Sequence, residues 1–157
     1  MKTKKHQANF DIERSLTFRI SSLYGVLSAG TIQELTGTFG LAFREWRVMA
    51  ILAKHEPLSA SDLVARSPMD KASVSRAVAS LVRRGLVVVA QGEVDGRVKV
   101  LRLTLEGWAL YQRVAPRSVA RQKALLSALT ASERESLYFM LDRVEKEAIR
   151  YFSKIQQ

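Results

Sequence analysis

The segment from Ser59 to Gly107 constrains the fold most. It opens on a short capped helix, continues into a second helix dotted with serines and arginines, and ends in two β-branched runs separated by a turn. In Ser59-Ala60-Ser61-Asp62 the serine hydroxyl can accept the Asp62 amide while the carboxylate reaches back, a capping box. Pro57 helps fix the approach to this helix, and Ser67-Pro68 ends it, because a residue before proline is pushed out of the helical region. Leu63, Val64 and Ala65 supply its buried side. Asp70 then caps the second helix and meets the positive end of its dipole.

From Asp70 to Gly85, Val74, Val78, Leu81 and Val82 fall on one stripe at helical spacing. At about 3.6 residues per turn the opposite side carries Ala72, Ser73, Arg76, Ala79, Ser80 and Arg83. Small side chains there let the backbone approach a surface, serines can bond phosphates or base edges, and arginine can make a bidentate contact with guanine. The same pattern also suits an ordinary amphipathic helix whose outer face is merely solvated. Gly85 reads as a left-handed cap, followed by the run Leu86 to Ala90. A second run, Val98 to Leu103, follows an Asp95-Gly96 turn signal, which makes a hairpin with a basic tip. Short helix, second helix and basic-tipped hairpin together describe a winged helix-turn-helix.

Charge points the same way. The chain of 157 residues carries a net charge of +10, which suits a polyanionic partner. From Arg66 to Arg102 there are eight basic residues against Asp70, Glu93 and Asp95, so this unit holds half of the net charge. There are no cysteines, which excludes disulfides and thiol-based oxidant sensing. His6 and His55 are too few and too far apart in sequence to suggest a metal site. No apolar run approaches the ~18 residues a membrane span needs, and no secretory leader is legible, so a cytoplasmic location is expected.

In this context the chain resembles the MarR family of bacterial transcription regulators. Asp70 to Val87 is similar to that family's recognition helix and following strand, and Asp95-Gly96-Arg97 to its Asp-x-Arg wing signature. Leu103-Thr104-Leu105-Glu106-Gly107 resembles the Leu-Thr-x-x-Gly that opens its next helix, and Glu45 to Leu52 its Glu-Trp-Arg segment. Each motif is loose; their order and spacing together are specific. One departure is Ala42, where the family commonly has a capping serine or threonine, a loss of about 1 kcal/mol to the local helix.

The remaining chain reads as helix. Ile12, Leu16, Ile20, Leu23 and Leu27 recur at spacings of three and four from about Asp11 to Leu35, and Gly37 to Gly40 breaks the pattern. A helix from about Arg44 to Lys54 buries Trp46, Met49 and Ala50. Thr104 caps a helix running to about Leu129, which Pro116 should kink. Thr130-Ala131-Ser132-Glu133 is another capping box, ahead of Leu137, Leu141, Val144, Ala148 and Phe152. The expected fold is mainly α with a small β-hairpin wing, a single domain over 1–157. Its winged helix-turn-helix spans 41–104, with dimerisation helices over 8–36 and 106–157. Terminal helices with apolar stripes and no further domain to cover them suggest a homodimer, as the resemblance also implies, and two recognition helices about 34 Å apart would read an inverted repeat.

By resemblance, Ser73, Ser75 and Arg76 face the major groove beside Ala72, while Lys71 and Ser59 sit on phosphates. Arg97 enters the flanking minor groove, with Asp95 orienting it or closing the turn and Lys99 on the same basic wing. Family members commonly respond to small aromatic or phenolic acids, so Phe18, Tyr24, Phe39, Trp46, Trp108 and Tyr111 are candidate apolar walls and Arg19 or Arg47 a carboxylate anchor. The same aromatics also suit an ordinary core. An enzyme would need a nucleophile with its base, a metal set or a phosphate loop, none of which is legible, and no cofactor is called for. The expected function is a DNA-binding regulator, a repressor, released by such an acid; a nonspecific DNA- or protein-binding module is the alternative.

Overall fold

The computed structural model describes residues 10–92 and 98–155. Its first helix, α1, spans Leu16–Phe39. The sequence pattern starts it at Asp11, but Asp11 Oδ1 accepts the Glu13 amide at 3.1 Å and closes a turn instead, as Asp side chains do when they bond their own downstream backbone. Gly37 lies inside the helix, and the break comes at Gly40, whose φ of 58° is the left-handed conformation that ends many helices.

Helix α2, Phe43–His55, begins at Ala42 with no side-chain cap. Glu45 supplies the other half of a capping box, its Oε2 accepting the Ala42 amide at 2.8 Å. The two-residue strand β1, Leu58–Ser59, leads into α3, Ala60–Ala65, and α4, Lys71–Arg83. Gly85, at φ 69°, turns the chain into β2, Val87–Gln91. Strand β3, Lys99–Leu103, pairs antiparallel with β2 from Val87 opposite Leu103 to Gln91 opposite Lys99. Its other edge takes β1, Leu58 opposite Leu101, giving the order β1-β3-β2. Two residues are too short a run to announce β1 in the sequence.

The core beneath this sheet is built from Leu41, Met49, Leu52, Leu63, Val74 and Leu81, all essentially buried. Helix α4 turns a different face to it than the sequence pattern suggests. Ser73, Val74, Ala77 and Leu81 are buried, whereas Val82 is 38% exposed. The stripe therefore centres on Ala77: the small Ala and Ser let α4 lie close to its neighbours, and the larger Val82 is left outward.

Helix α5, Leu105–Leu125, contains Pro116. Thr104 fixes its start, donating from Oγ1 to the Gly85 carbonyl at 2.7 Å and accepting the Gly107 amide at 3.0 Å. The expected extension to Leu129 is replaced by a 3-10 turn, Leu126–Ala128, where Arg134 Nε donates to the Leu126 and Leu129 carbonyls. The Thr130 capping box forms as expected, Glu133 Oε2 accepting the Thr130 amide at 2.7 Å. It opens α6, Ala131–Ile155, which has no buried residue.

The chain divides into two compact units, Met1–Gln112 and Arg113–Gln157. Phe18, Ile20, Leu23 and Val26 of α1, and Phe139, Leu141, Ile149 and Phe152 of α6, are all exposed. Among the described residues, no helix is long and apolar enough to cross a membrane.

Candidate nucleic-acid interface

The helix-turn-helix is locally over-determined by its caps. Asp70 Oδ1 accepts the Ser73 amide at 2.8 Å and its Oδ2 accepts the Ser73 hydroxyl at 2.7 Å, which holds the Asp70 carboxyl below its usual range. Arg76 Nη2 donates to the same hydroxyl at 3.1 Å. Ser73 is thus buried and spent on the cap, which corrects its expected place facing the groove. The physical reason is its position three residues after an N-cap aspartate, where a hydroxyl finds the carboxylate before it finds a ligand. Ser80, expected on the outer face, is only half-buried and bonds Glu45.

Lys71, Ala72, Ser75, Arg76, Ala79 and Arg83 remain on the solvent side of α4. A cation at the helix start, two arginines along one edge and small side chains between them form a surface that can approach a duplex closely. Ser59 is committed much as Ser73 is. Its Oγ accepts the Asp62 amide at 3.1 Å and lies 2.6 Å from Asp62 Oδ2, and these bonds hold the Asp62 carboxyl below its usual range. Lys99 is exposed where β3 begins, opposite Gln91. Asp95 and Arg97, the expected wing tip, lie outside the described residues.

Three joints that the sequence does not announce brace the elements around α4. The Glu45 carboxylate receives Arg84 Nη1 at 2.7 Å from the far end of α4. Burial acts to raise the Glu45 pKa, but hydrogen bonds from Ser80 and the Ala42 amide, with the Arg84 charge, outweigh it and hold the carboxyl below its usual value. Glu56 accepts the Leu103 amide at 2.6 Å and Trp108 Nε1 at 3.0 Å, tying α2 to β3 and α5. At Gly107 the backbone runs so close to the Leu86 carbonyl that a Cβ would collide with it. A side-chain partner 39 or 52 positions away leaves no periodic signal.

The candidate ligand residues separate into groups. Tyr24 and Arg47 share a cleft of about 470 Å³ with Ile32, Arg44, Met69 and Asp70. There the Arg47 guanidinium lies 4.3 Å from the Phe43 ring centroid and 5.8 Å from that of Tyr24. Trp46, Tyr111 and Trp108 form a separate aromatic cluster, Trp46 stacked on Tyr111 at 5.6 Å between centroids and Trp108 meeting Tyr111 edge to face at 5.5 Å. Trp46 is only 8% exposed and belongs to the core, while Trp108 and Tyr111 are half-buried. Phe18 and Arg19 are exposed on α1, and Phe39 is half-buried at its end.

Comparison with known proteins agrees with this geometry. The MarR family model matches residues 39–98. The HTH-type transcriptional regulator PecS of Dickeya dadantii (strain 3937) is 24% identical over 149 residues, 93% of this chain and 90% of PecS. Among solved structures, a MarR/EmrR family transcriptional regulator from Acinetobacter sp. ADP1 superposes with a TM-score of 0.84 at 26% identity, covering 90% of this chain and 99% of that one. The S. aureus MepR–DNA complex shares the fold, with a TM-score of 0.79 at 18% identity over 87% and 98% of the two chains. So does Bordetella bronchiseptica BpsR, whose DNA binding is regulated by 6-hydroxynicotinic acid, with a TM-score of 0.76 at 20% identity over 87% and 96%. The helix-turn-helix and the capped α4 lie within the matched segment, residues 39–98, and over it the chain is similar to the MarR family of DNA-binding transcriptional regulators.

Proposed function

We propose that this regulator acts as a homodimeric repressor that binds an inverted-repeat operator and leaves it on binding a small aromatic acid. The observation that carries the DNA reading is the outer face of α4, where Lys71, Arg76 and Arg83 are exposed around the small residues Ala72, Ser75 and Ala79. In this reading Arg76 and Ser75 meet base edges, Lys71 meets phosphate, and Lys99 and Arg97 belong to the wing beside them.

The exposed apolar side chains of α1 and α6 support dimerisation, since water-exposed Phe139, Ile149 and Phe152 carry a hydration cost that a second copy would relieve. A two-fold dimer places two α4 helices in successive major grooves, about 34 Å apart. The cleft beside Tyr24 and Arg47 supports the effector reading: it offers a cation backed by aromatic rings and is lined by Asp70, the cap of α4. An aromatic carboxylate there bears directly on the start of the reading helix. BpsR, with the same fold, gives a parallel.

The test is a titration of the protein against the DNA upstream of its own gene and a scrambled duplex of equal length, at about 150 mM salt. A preference of about 10³-fold with two subunits per site supports the proposal. Equal weak binding to both duplexes refutes it in favour of a nonspecific module.

A further inference from the structure

The outward side of α4 carries a second feature that arginine and phosphate contacts leave unused. Ser75, Ala79 and Val82 recur along it, and with Val64 of α3, Val78 of α4 and Val89 of β2 they line an open groove of about 740 Å³. Val82, in the last turn of α4, and Val89, in the middle of β2, are 38% and 45% exposed. The lining includes one cation, Lys71, and no carboxylate. Arg76 and Arg83 are exposed on the same helix, outside this lining.

An apolar floor with a cationic rim selects its occupant by charge and by shape. A neutral apolar partner leaves Lys71 unanswered, and a hydrated polyanion leaves the valines unanswered. The major groove of duplex DNA answers both, because phosphates run along its walls and each thymine presents a C5-methyl group on its floor. From Ser75 to Val82 the helix advances about 10 Å at ~1.5 Å per residue, the length of roughly three base-pair steps at ~3.4 Å each.

We propose that Ala79 and Val82 read thymine through its C5-methyl group, so that each operator half-site contains thymines within three steps of one another at positions fixed by this groove. The proposal rests on α4 being the major-groove element and adds to it a specificity for one base. Serine and arginine on α4 can bond several base edges, whereas a methyl group in an apolar groove distinguishes thymine from every other base and from uracil.

The experiment leaves the protein unaltered at first. Duplexes enriched by the protein from a randomised pool are resynthesised with uracil in place of thymine, one position at a time, and titrated. The expected result is about a fourfold loss of affinity per methyl removed at one or more positions in each half-site. In the Ala79→Ser, Val82→Asn double variant, which leaves no methyl group at either position, thymine and uracil duplexes bind alike; both side chains are exposed, and an unchanged melting temperature shows that the variant is folded. If an enriched duplex binds tightly but uracil is tolerated everywhere, or the double variant still discriminates, thymine reading is overturned and operator binding stands. If no duplex is enriched, operator binding and thymine reading fall together.

Discussion

Glu45 is where one atom's chemistry should govern the whole DNA-binding unit. Its side chain is 8% exposed and accepts hydrogen bonds from Arg84 at 2.7 Å and from the Ala42 amide at 2.8 Å. In Glu45→Gln the amide oxygen can still accept from Ala42, but the charge-assisted bond to Arg84 is lost. Breaking a fully buried pair costs roughly 3–5 kcal/mol. The Arg84 side chain is 34% exposed and regains hydration, so the expected loss is about 2 kcal/mol. For a domain of this size that lowers the melting temperature by about 4–8 °C.

The pH dependence gives the reasoning its sharper test. In the folded protein the Ser80, Ala42 and Arg84 contacts hold the Glu45 pKa below its ordinary value. A depressed carboxylate pKa contributes stability that is fully present above the unfolded value and lost as pH falls through the folded one. The gap between wild type and Glu45→Gln, read from urea unfolding followed by circular dichroism, should therefore be full at about pH 7 and shrink toward about pH 3.5. A gap of equal size at both values, or none at about pH 7, would falsify the assignment of this carboxylate as a charged brace between α2 and α4.

Other outcomes follow from single side chains. Gly107→Ala drives a methyl group into the Leu86 carbonyl and should cost about 1–3 kcal/mol in thermal unfolding; a neutral result would mean the α5 start can shift away from Gly85 and Leu86. Ser73→Ala removes a buried hydroxyl bonded to Asp70 and Arg76 and should cost about 1 kcal/mol of stability with unchanged base discrimination. A change in the preferred operator base would return Ser73 to the DNA surface. Arg76→Ala should cost about 1–3 kcal/mol of operator binding and relax specificity at one position, whereas Lys71→Ala should weaken all duplexes alike and lower the salt slope by about 1. Equal losses on operator and random DNA for Arg76→Ala would end its base-reading role.

What was legible in the chain followed from local physics. Caps at Ser59, Asp70 and Thr130 lie within three residues of their partners, so the sequence displays both ends of each bond. Gly85 and the β-branched run after it announced the turn into β2 in the same way. The rotation of α4 was not legible, because Val82 and Ala77 compete for the core on a helix whose surroundings come from α2 and the sheet. The contacts of Tyr111 with Trp46 and Trp108 were not legible either, because those rings come from positions more than 60 residues apart or from one helix turn whose partners lie elsewhere.

The sequence by itself determined the order of elements, their caps and the concentration of positive charge on 66–102, since each depends on neighbours within a turn or two of chain. Only the tertiary structure decided which side of α4 faces solvent and that Ser73 belongs to a cap. It also decided that Glu45, Glu56 and Gly107 are the joints that tie α2, α4, β3 and the start of α5 together. Those outcomes depend on contacts between residues tens of positions apart, where burial and hydrogen-bond satisfaction, not spacing along the chain, set the energy.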